Sequence, residues 1–105
     1  MRIYEDRNRN GQLRSFEVSN TTLGRRGVVR ILRRIPEVTI LREPKQLFSW
    51  FREDEFCTFE IGGTKFLVEE PYGDNSRYWI GGPRQNDKLE IVAQAFRAQR
   101  WPLGF

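Results

Sequence analysis

The chain has 105 residues, of which 38% are hydrophobic and 13% aromatic, and it contains one cysteine and no histidine. This length and apolar content predict a single folded domain over residues 1–105 and exclude an intrinsically disordered chain. One cysteine excludes an internal disulfide, and the lack of histidine removes the commonest general base and metal ligand. The net charge is +4, divided into a net +6 over residues 1–35 and a net −2 over residues 36–105.

The N-terminal residues predict a β-hairpin, because apolar β-formers lie on both sides of the polar run 8–11. Asn10-Gly11 is a strong signal for a two-residue turn, since both positions tolerate positive φ. A turn this tight would place Arg7 opposite Arg14, which is an unfavourable like-charge pair. A longer loop would avoid that pair, so both turn lengths stay open.

Residues 27–35 predict an amphipathic helix that ends at Pro36. Gly24 and Gly27 weaken its first turn, so we expect the regular helix to begin at Gly27, after N-cap oxygens from residues 19–21. The apolar positions have the spacing of one buried face and are Val28, Ile31, Leu32 and Ile35. The opposite face carries Arg26, Arg30, Arg33 and Arg34, with Arg25 nearby.

Two short elements are expected between residues 37 and 53. Residues 37–42 alternate with apolar side chains on both faces, which predicts a strand near the centre of the sheet. Residues 45–53 predict a short helix, whose acidic C-terminal end opposes the helix dipole.

Residues 56–69 predict a second hairpin, whose register is set by a two-glycine turn at residues 62–63. Stepping outward from the turn gives pairs on two faces. The face that we assign to the core pairs Phe59 with Phe66 and Cys57 with Val68. The other face pairs Glu60 with Lys65, Thr58 with Leu67 and Phe56 with Glu69.

After the hairpin, the sequence predicts a loop over 70–76 and a strand over 77–80. It then predicts a helix over 87–100, which begins with an Asp87–Glu90 capping box, and an apolar tail over 101–105. The element order ββ-α-β-α-βββ-α is typical of an α+β domain. We expect an antiparallel or mixed sheet of five to six strands, with about three helices packed mainly on one face.

The sequence offers little catalytic chemistry. Cys57 is expected in the core, where a thiol is usually inert, and the chain has no Cys/His metal site or glycine-rich phosphate loop. We therefore predict a non-enzymatic protein without cofactor or metal. The alternative of a histidine-free carboxylate enzyme requires two of Glu69, Glu70 and Asp74 to converge, although adjacent strand residues such as Glu69 and Glu70 point to opposite faces.

The predicted function is binding of a protein partner or self-association. Tyr, Trp and Arg anchor protein interfaces, and they occur together beside turn residues near the end of the chain. The predicted partner-binding residues are Tyr72, Asp74, Asn75, Arg77 and Trp79. Strand alternation places Arg77 and Trp79 on one face and Tyr78 on the other. In general character, with no shared motif, such a chain resembles small bacterial inhibitory or immunity-type proteins that cover an enzyme.

A nucleic-acid-binding domain is the main alternative. The arginine-rich helix would contact phosphates through Arg25, Arg26, Arg30, Arg33 and Arg34. No aromatic residue occurs within residues 19–47 to stack on bases beside them. The N-terminus does not read as a signal peptide and no apolar stretch is long enough to span a bilayer, so we expect a soluble cytoplasmic protein with no membrane contact.

Overall fold

The computed structural model describes residues 2–19, 23–42, 55–70, 77–82 and 87–99, which form one α+β domain. The strands are β1 (Arg2–Arg7), β2 (Leu13–Ser19), β3 (Val38–Arg42), β4 (Glu55–Ile61), β5 (Thr64–Glu69) and β6 (Arg77–Gly81). The helices are α1 (Gly24–Arg33) and α2 (Leu89–Arg97). The helix predicted over 45–53 and the tail 101–105 lie outside the described residues, so the described order is ββ-α-β-βββ-α.

The six strands form one sheet in the order β1-β2-β6-β5-β4-β3, and all neighbouring pairs are antiparallel. The α+β class and the antiparallel form of the predicted sheet are confirmed. The order places β6, the last strand in the described sequence, between the two hairpins β1-β2 and β4-β5. Residues 77–81 therefore lie in the middle of the sheet.

The prediction that residues 37–42 form a central strand is wrong, because β3 is an edge strand that pairs only with β4 among the described strands. A register shift between Ile40 and Arg42 leaves Leu41 without a partner opposite it. The Leu41 side chain is 46% exposed. The second apolar face seen in the sequence thus comes from a bulged leucine that points to solvent, and it does not indicate a second buried layer.

The β4-β5 hairpin confirms the predicted register from the turn outward to Cys57 and Val68. The prediction fails at the open end, where Glu69 pairs with Glu55 and a bulge displaces Phe56. Phe56 is turned into the core, where its ring meets the Tyr78 ring edge to face, with centroids 5.9 Å apart. Burial of this large ring in the core explains the bulge, which replaces the regular pair of Phe56 with Glu69.

The β1-β2 hairpin has the longer of the two loops considered, with Arg7 opposite Leu13. The Asn8 side-chain oxygen accepts hydrogen bonds from the backbone N–H groups of Asn10 and Gln12, each at 2.9 Å. Gly11 has a φ of 83°, which a residue with a side chain adopts only at a cost. This loop keeps Arg7 away from the arginine of β2.

Both helices begin differently from the prediction. Helix α1 starts at Gly24 rather than Gly27, and no side chain caps its N-terminus at Leu23. Helix α2 is shorter than predicted and lacks the capping box. Glu90 instead accepts a hydrogen bond from Nη1 of Arg7 at 2.5 Å, which ties α2 to β1. Tertiary ion pairing has therefore replaced the local cap.

The core lies between one face of the sheet and the two helices. Helix α2 packs on β1 and β2, where Phe96 meets Phe16 with ring centroids 5.7 Å apart. Helix α1 packs on β3 and on α2, and it buries Val28 and Leu32 completely. The side of the sheet opposite the helices is called the outer face below. No helix among the described residues is long and apolar enough to cross a membrane.

Candidate functional site

The candidate site lies on the outer face and runs across four neighbouring strands. Backbone pairing aligns Tyr4 of β1 with Glu17 of β2, Glu17 with Trp79 of β6, and Trp79 with Glu69 of β5. Because directly paired residues share a face, these four side chains form one row. The row is called the Trp79 row below. It joins two aromatic rings and two carboxylates, and it runs from the edge strand β1 to β5 in the interior of the sheet.

Arg77 lies beside the Trp79 row and is fixed by two of its members. Its guanidinium carbon lies 4.3 Å from the centroid of the Tyr4 ring. Its Nη1 atom donates a hydrogen bond to Oε1 of Glu17 at 3.2 Å. Tyr4 is 38% exposed, so this cation–π and ion-pair arrangement is open to solvent on one side. Arg77 is thus positioned before any partner arrives.

Trp79 is held flat along its own strand. A Cβ atom built on Gly81 would lie 2.7 Å from Cη2 and 2.8 Å from Cζ2 of the Trp79 ring. Only glycine lets the ring approach the backbone this closely. The same added Cβ would lie 3.0 Å from Cβ of Ser15, which is buried on the outer face. Trp79 itself remains half-buried, so part of its side chain is accessible to solvent.

Glu69 and Leu67 complete the outer face on β5. Glu69 lies directly across from Trp79, and Leu67 lies directly across from Gly81. Both side chains are half-buried. In the described part of the chain, the Glu69 side chain makes no hydrogen bond and no ion pair. It is therefore a partly desolvated carboxylate beside an aromatic ring.

The predicted partner-binding residues fall into two groups. Arg77 and Trp79 share the outer face as predicted, and Tyr78 is fully buried on the core face. Tyr72, Asp74 and Asn75 lie outside the described residues. Asn75 precedes Arg77, the first residue of β6, by two positions in the sequence.

Sequence reasoning missed Tyr4, Glu17 and Glu69 as members of the site. Their relation to Trp79 depends on strand order, which the sequence does not display. One local signal was present, because glycine two residues after tryptophan in a strand indicates that the ring lies against the backbone.

The grouping of Arg25 with the solvated arginines is wrong. Its Nε atom donates a hydrogen bond to Oε1 of Glu70 at 2.5 Å, and the two side chains are 16% and 4% exposed. The Arg25 guanidinium carbon also lies 4.7 Å from the centroid of the Phe56 ring. This residue links the start of α1 to the end of β5. It belongs to a buried ion pair and is not available to bind phosphate.

The other predicted nucleic-acid contacts lie on the surface of α1 and just after it. These residues are Arg26, Arg30, Arg33 and Arg34, and all four are exposed. Arg33 and Arg34 take part in further interactions, whereas Arg26 and Arg30 make no ion pair within the described ranges. They give one end of the domain a positive surface that lies on the helix side of the sheet, away from the Trp79 row.

The described residues bring no catalytic set together. Cys57 is fully buried, and burial raises the pKa of its thiol to about 11, although Arg42 and Arg33 partly oppose this shift. Glu70 is buried against Arg25, whereas Glu69 lies on the outer face, so these carboxylates do not form a pair. Among the described residues, no group of three acidic or cysteine side chains is placed to hold a metal ion.

Comparison of the chain with protein-family models, with curated proteins and with solved structures finds no significant match to any of them.

Proposed function

We propose that this chain is a protein-binding domain that docks a partner on its outer face, through Trp79 and Arg77. The observation that carries the proposal is the fixed placement of these two side chains. Trp79 is held over Gly81, and Arg77 is held between Tyr4 and Glu17. Tryptophan and arginine are the residues that most often dominate binding energy at protein interfaces.

Preorganisation supports this proposal on energetic grounds. A side chain immobilised on binding costs roughly 0.5–1.5 kcal/mol, and side chains that are fixed beforehand avoid part of that cost. The outer face also mixes apolar and polar groups, since Leu67 and Trp79 lie among carboxylates and Arg77. Such a mixture is typical of surfaces that bind reversibly and remain stable when free. An inhibitory or immunity-type role, in which the domain covers an enzyme, is the form of binding that we favour.

Partner capture tests the proposal. The full chain, immobilised, is exposed to extract from cells that express it naturally, and Arg77→Ala and Trp79→Ala variants are compared with it. Lys65→Ala is the matched control, because Lys65 is exposed on the outer face at the far end of the β4-β5 hairpin. We expect both test variants, but not the control, to lose a specific protein. Equal recovery by all folded variants would refute the proposal.

A second candidate function is nucleic-acid binding through the exposed arginines of α1. Arg26 and Arg30 favour it, because they are exposed and unpaired within the described ranges. Phosphate binding would make affinity for generic DNA or RNA fall steeply between about 50 and 200 mM salt. An Arg26→Ala/Arg30→Ala variant would then bind more weakly and with a shallower salt dependence. No binding at the lower salt concentration would exclude this function.

A further inference from the structure

The contact made by Arg77 shows how the outer face holds a cation. The guanidinium lies over the Tyr4 ring and is paired with the Glu17 carboxylate on the neighbouring strand. An aromatic ring and a carboxylate thus act together on one positive charge. Each interaction alone is weak at an exposed position, at roughly 0.5–1 kcal/mol, but the two act on the same group.

The same combination of groups occurs on the next two strands of the Trp79 row, β6 and β5. Glu69 lies directly across the β5-β6 ladder from Trp79, as Glu17 lies directly across from Tyr4. Tryptophan attracts cations more strongly than tyrosine does. No described cation pairs with Glu69, because Arg77 is engaged with Glu17. The Trp79 and Glu69 side chains therefore form an aromatic–carboxylate site of the type that Arg77 fills.

The charge balance of the row favours a cation at this second position. The Trp79 row carries two carboxylates, Glu17 and Glu69, and Arg77 supplies one positive charge beside it. A further positive charge at this position would offset the charge of Glu69. A half-buried carboxylate without a partner has lost part of its hydration, and a cation restores the lost interaction.

We propose that the pair Trp79–Glu69 binds an arginine or lysine side chain of the partner protein. The cationic group lies over the exposed side of the indole and against the Glu69 carboxylate, and its aliphatic stem packs on Leu67. This inference rests on the proposed function and specifies the chemistry of the partner. The partner presents a basic side chain at the centre of the interface, and Arg77 makes the adjacent contact.

Short peptides test the site on the full chain. The probe is acetyl-Gly-Arg-Gly-amide, and its matched control contains citrulline, which has nearly the same shape but no charge. Binding is followed by the indole N–H signal of Trp79 in ¹H–¹⁵N spectra, assigned with Trp79→Phe. We expect the arginine peptide to shift this signal with a Kd of about 30–200 mM, because the two contacts together contribute roughly 1–2 kcal/mol, and Glu69→Gln to weaken binding by up to about fivefold. Glu60→Gln, on the same face, should leave binding unchanged.

Three results would overturn this inference. The first is equal binding of the arginine and citrulline peptides, and the second is unchanged arginine binding by Glu69→Gln. The third is a Trp79 signal that shifts with protein concentration alone, which would identify a second copy of the chain as the occupant. The proposed function fails separately, since it falls only if Trp79→Ala and Arg77→Ala still capture the partner.

Discussion

Removal of the Glu70 carboxylate should destabilise the domain far more than removal of a surface carboxylate. Glu70→Gln keeps the size of the side chain but takes its charge away from Arg25, whose own side chain is only 16% exposed. Breaking one side of a buried ion pair costs about 3–5 kcal/mol. The Phe56 ring lies 4.7 Å from the guanidinium carbon of Arg25 and still stabilises its positive charge. We therefore expect the free energy of unfolding to fall by about 3 kcal/mol, the lower end of that range.

A double-mutant cycle separates the pair from its surroundings. Arg25→Met leaves Glu70 without its guanidinium, and should also cost about 3 kcal/mol or more. The Arg25→Met/Glu70→Leu variant leaves neither charge behind, and should be more stable than either single variant. The expected non-additivity is at least about 2 kcal/mol, which urea unfolding monitored by circular dichroism resolves easily.

The exposed pair Arg14–Asp6 is the matched control for this cycle. Its atoms are 2.9 Å apart, but its side chains are 50% and 51% exposed. Asp6→Asn should therefore cost no more than about 1 kcal/mol. The reasoning fails if Glu70→Gln costs as little as Asp6→Asn, or if the Arg25 and Glu70 substitutions are simply additive.

Three further predictions follow from single positions. Gly81→Ala should displace the Trp79 ring, because the new Cβ would lie 2.7 Å from it. We expect a shifted indole N–H signal, a decrease of about 1–3 kcal/mol in the free energy of unfolding, and weaker partner binding. Cys57 should react slowly with thiol reagents in the native state, because its thiol is buried. Its contribution to the stability of the domain should be full below about pH 9 and should decrease as the pH rises towards the native pKa of about 11. Cys57→Ala should remove this decrease. Leu41→Lys should change the free energy of unfolding by less than about 0.5 kcal/mol, because the Leu41 side chain is exposed at the edge of the sheet. A larger loss would contradict the edge position of β3.

Local patterns predicted the parts of the fold that depend on neighbouring residues. The two-glycine turn set the register of β4 and β5, and strand alternation placed Tyr78 and Trp79 on opposite faces, of which the structure buries the Tyr78 face. The buried face of α1 was likewise visible in its 3.6-residue spacing. In each case the information needed lies within about ten residues of the chain.

The errors concern contacts between distant parts of the chain. Arg25 belongs to a run of arginines, and nothing local shows that Glu70, 45 positions later, is buried beside it. The apolar pattern of β3 is the same for a central strand and for an edge strand with a bulge at Leu41. The candidate site was predicted only in part for the same reason. Tyr4 and Glu69 lie in one row with Trp79 only because of the order of the strands in the sheet, which the sequence does not display.

The insertion of β6 between β2 and β5 has a consequence for how the domain assembles. The hairpins β1-β2 and β4-β5 each form from adjacent segments, and among the described strands only β6, residues 77–81, pairs with both of them. During synthesis on the ribosome, the two hairpins cannot be joined into one sheet through β6 until this late strand has been synthesised. The strand that completes the sheet also carries Arg77 and Trp79. A chain that ends before residue 77 therefore lacks both Arg77 and Trp79 and the ladders that join the two hairpins.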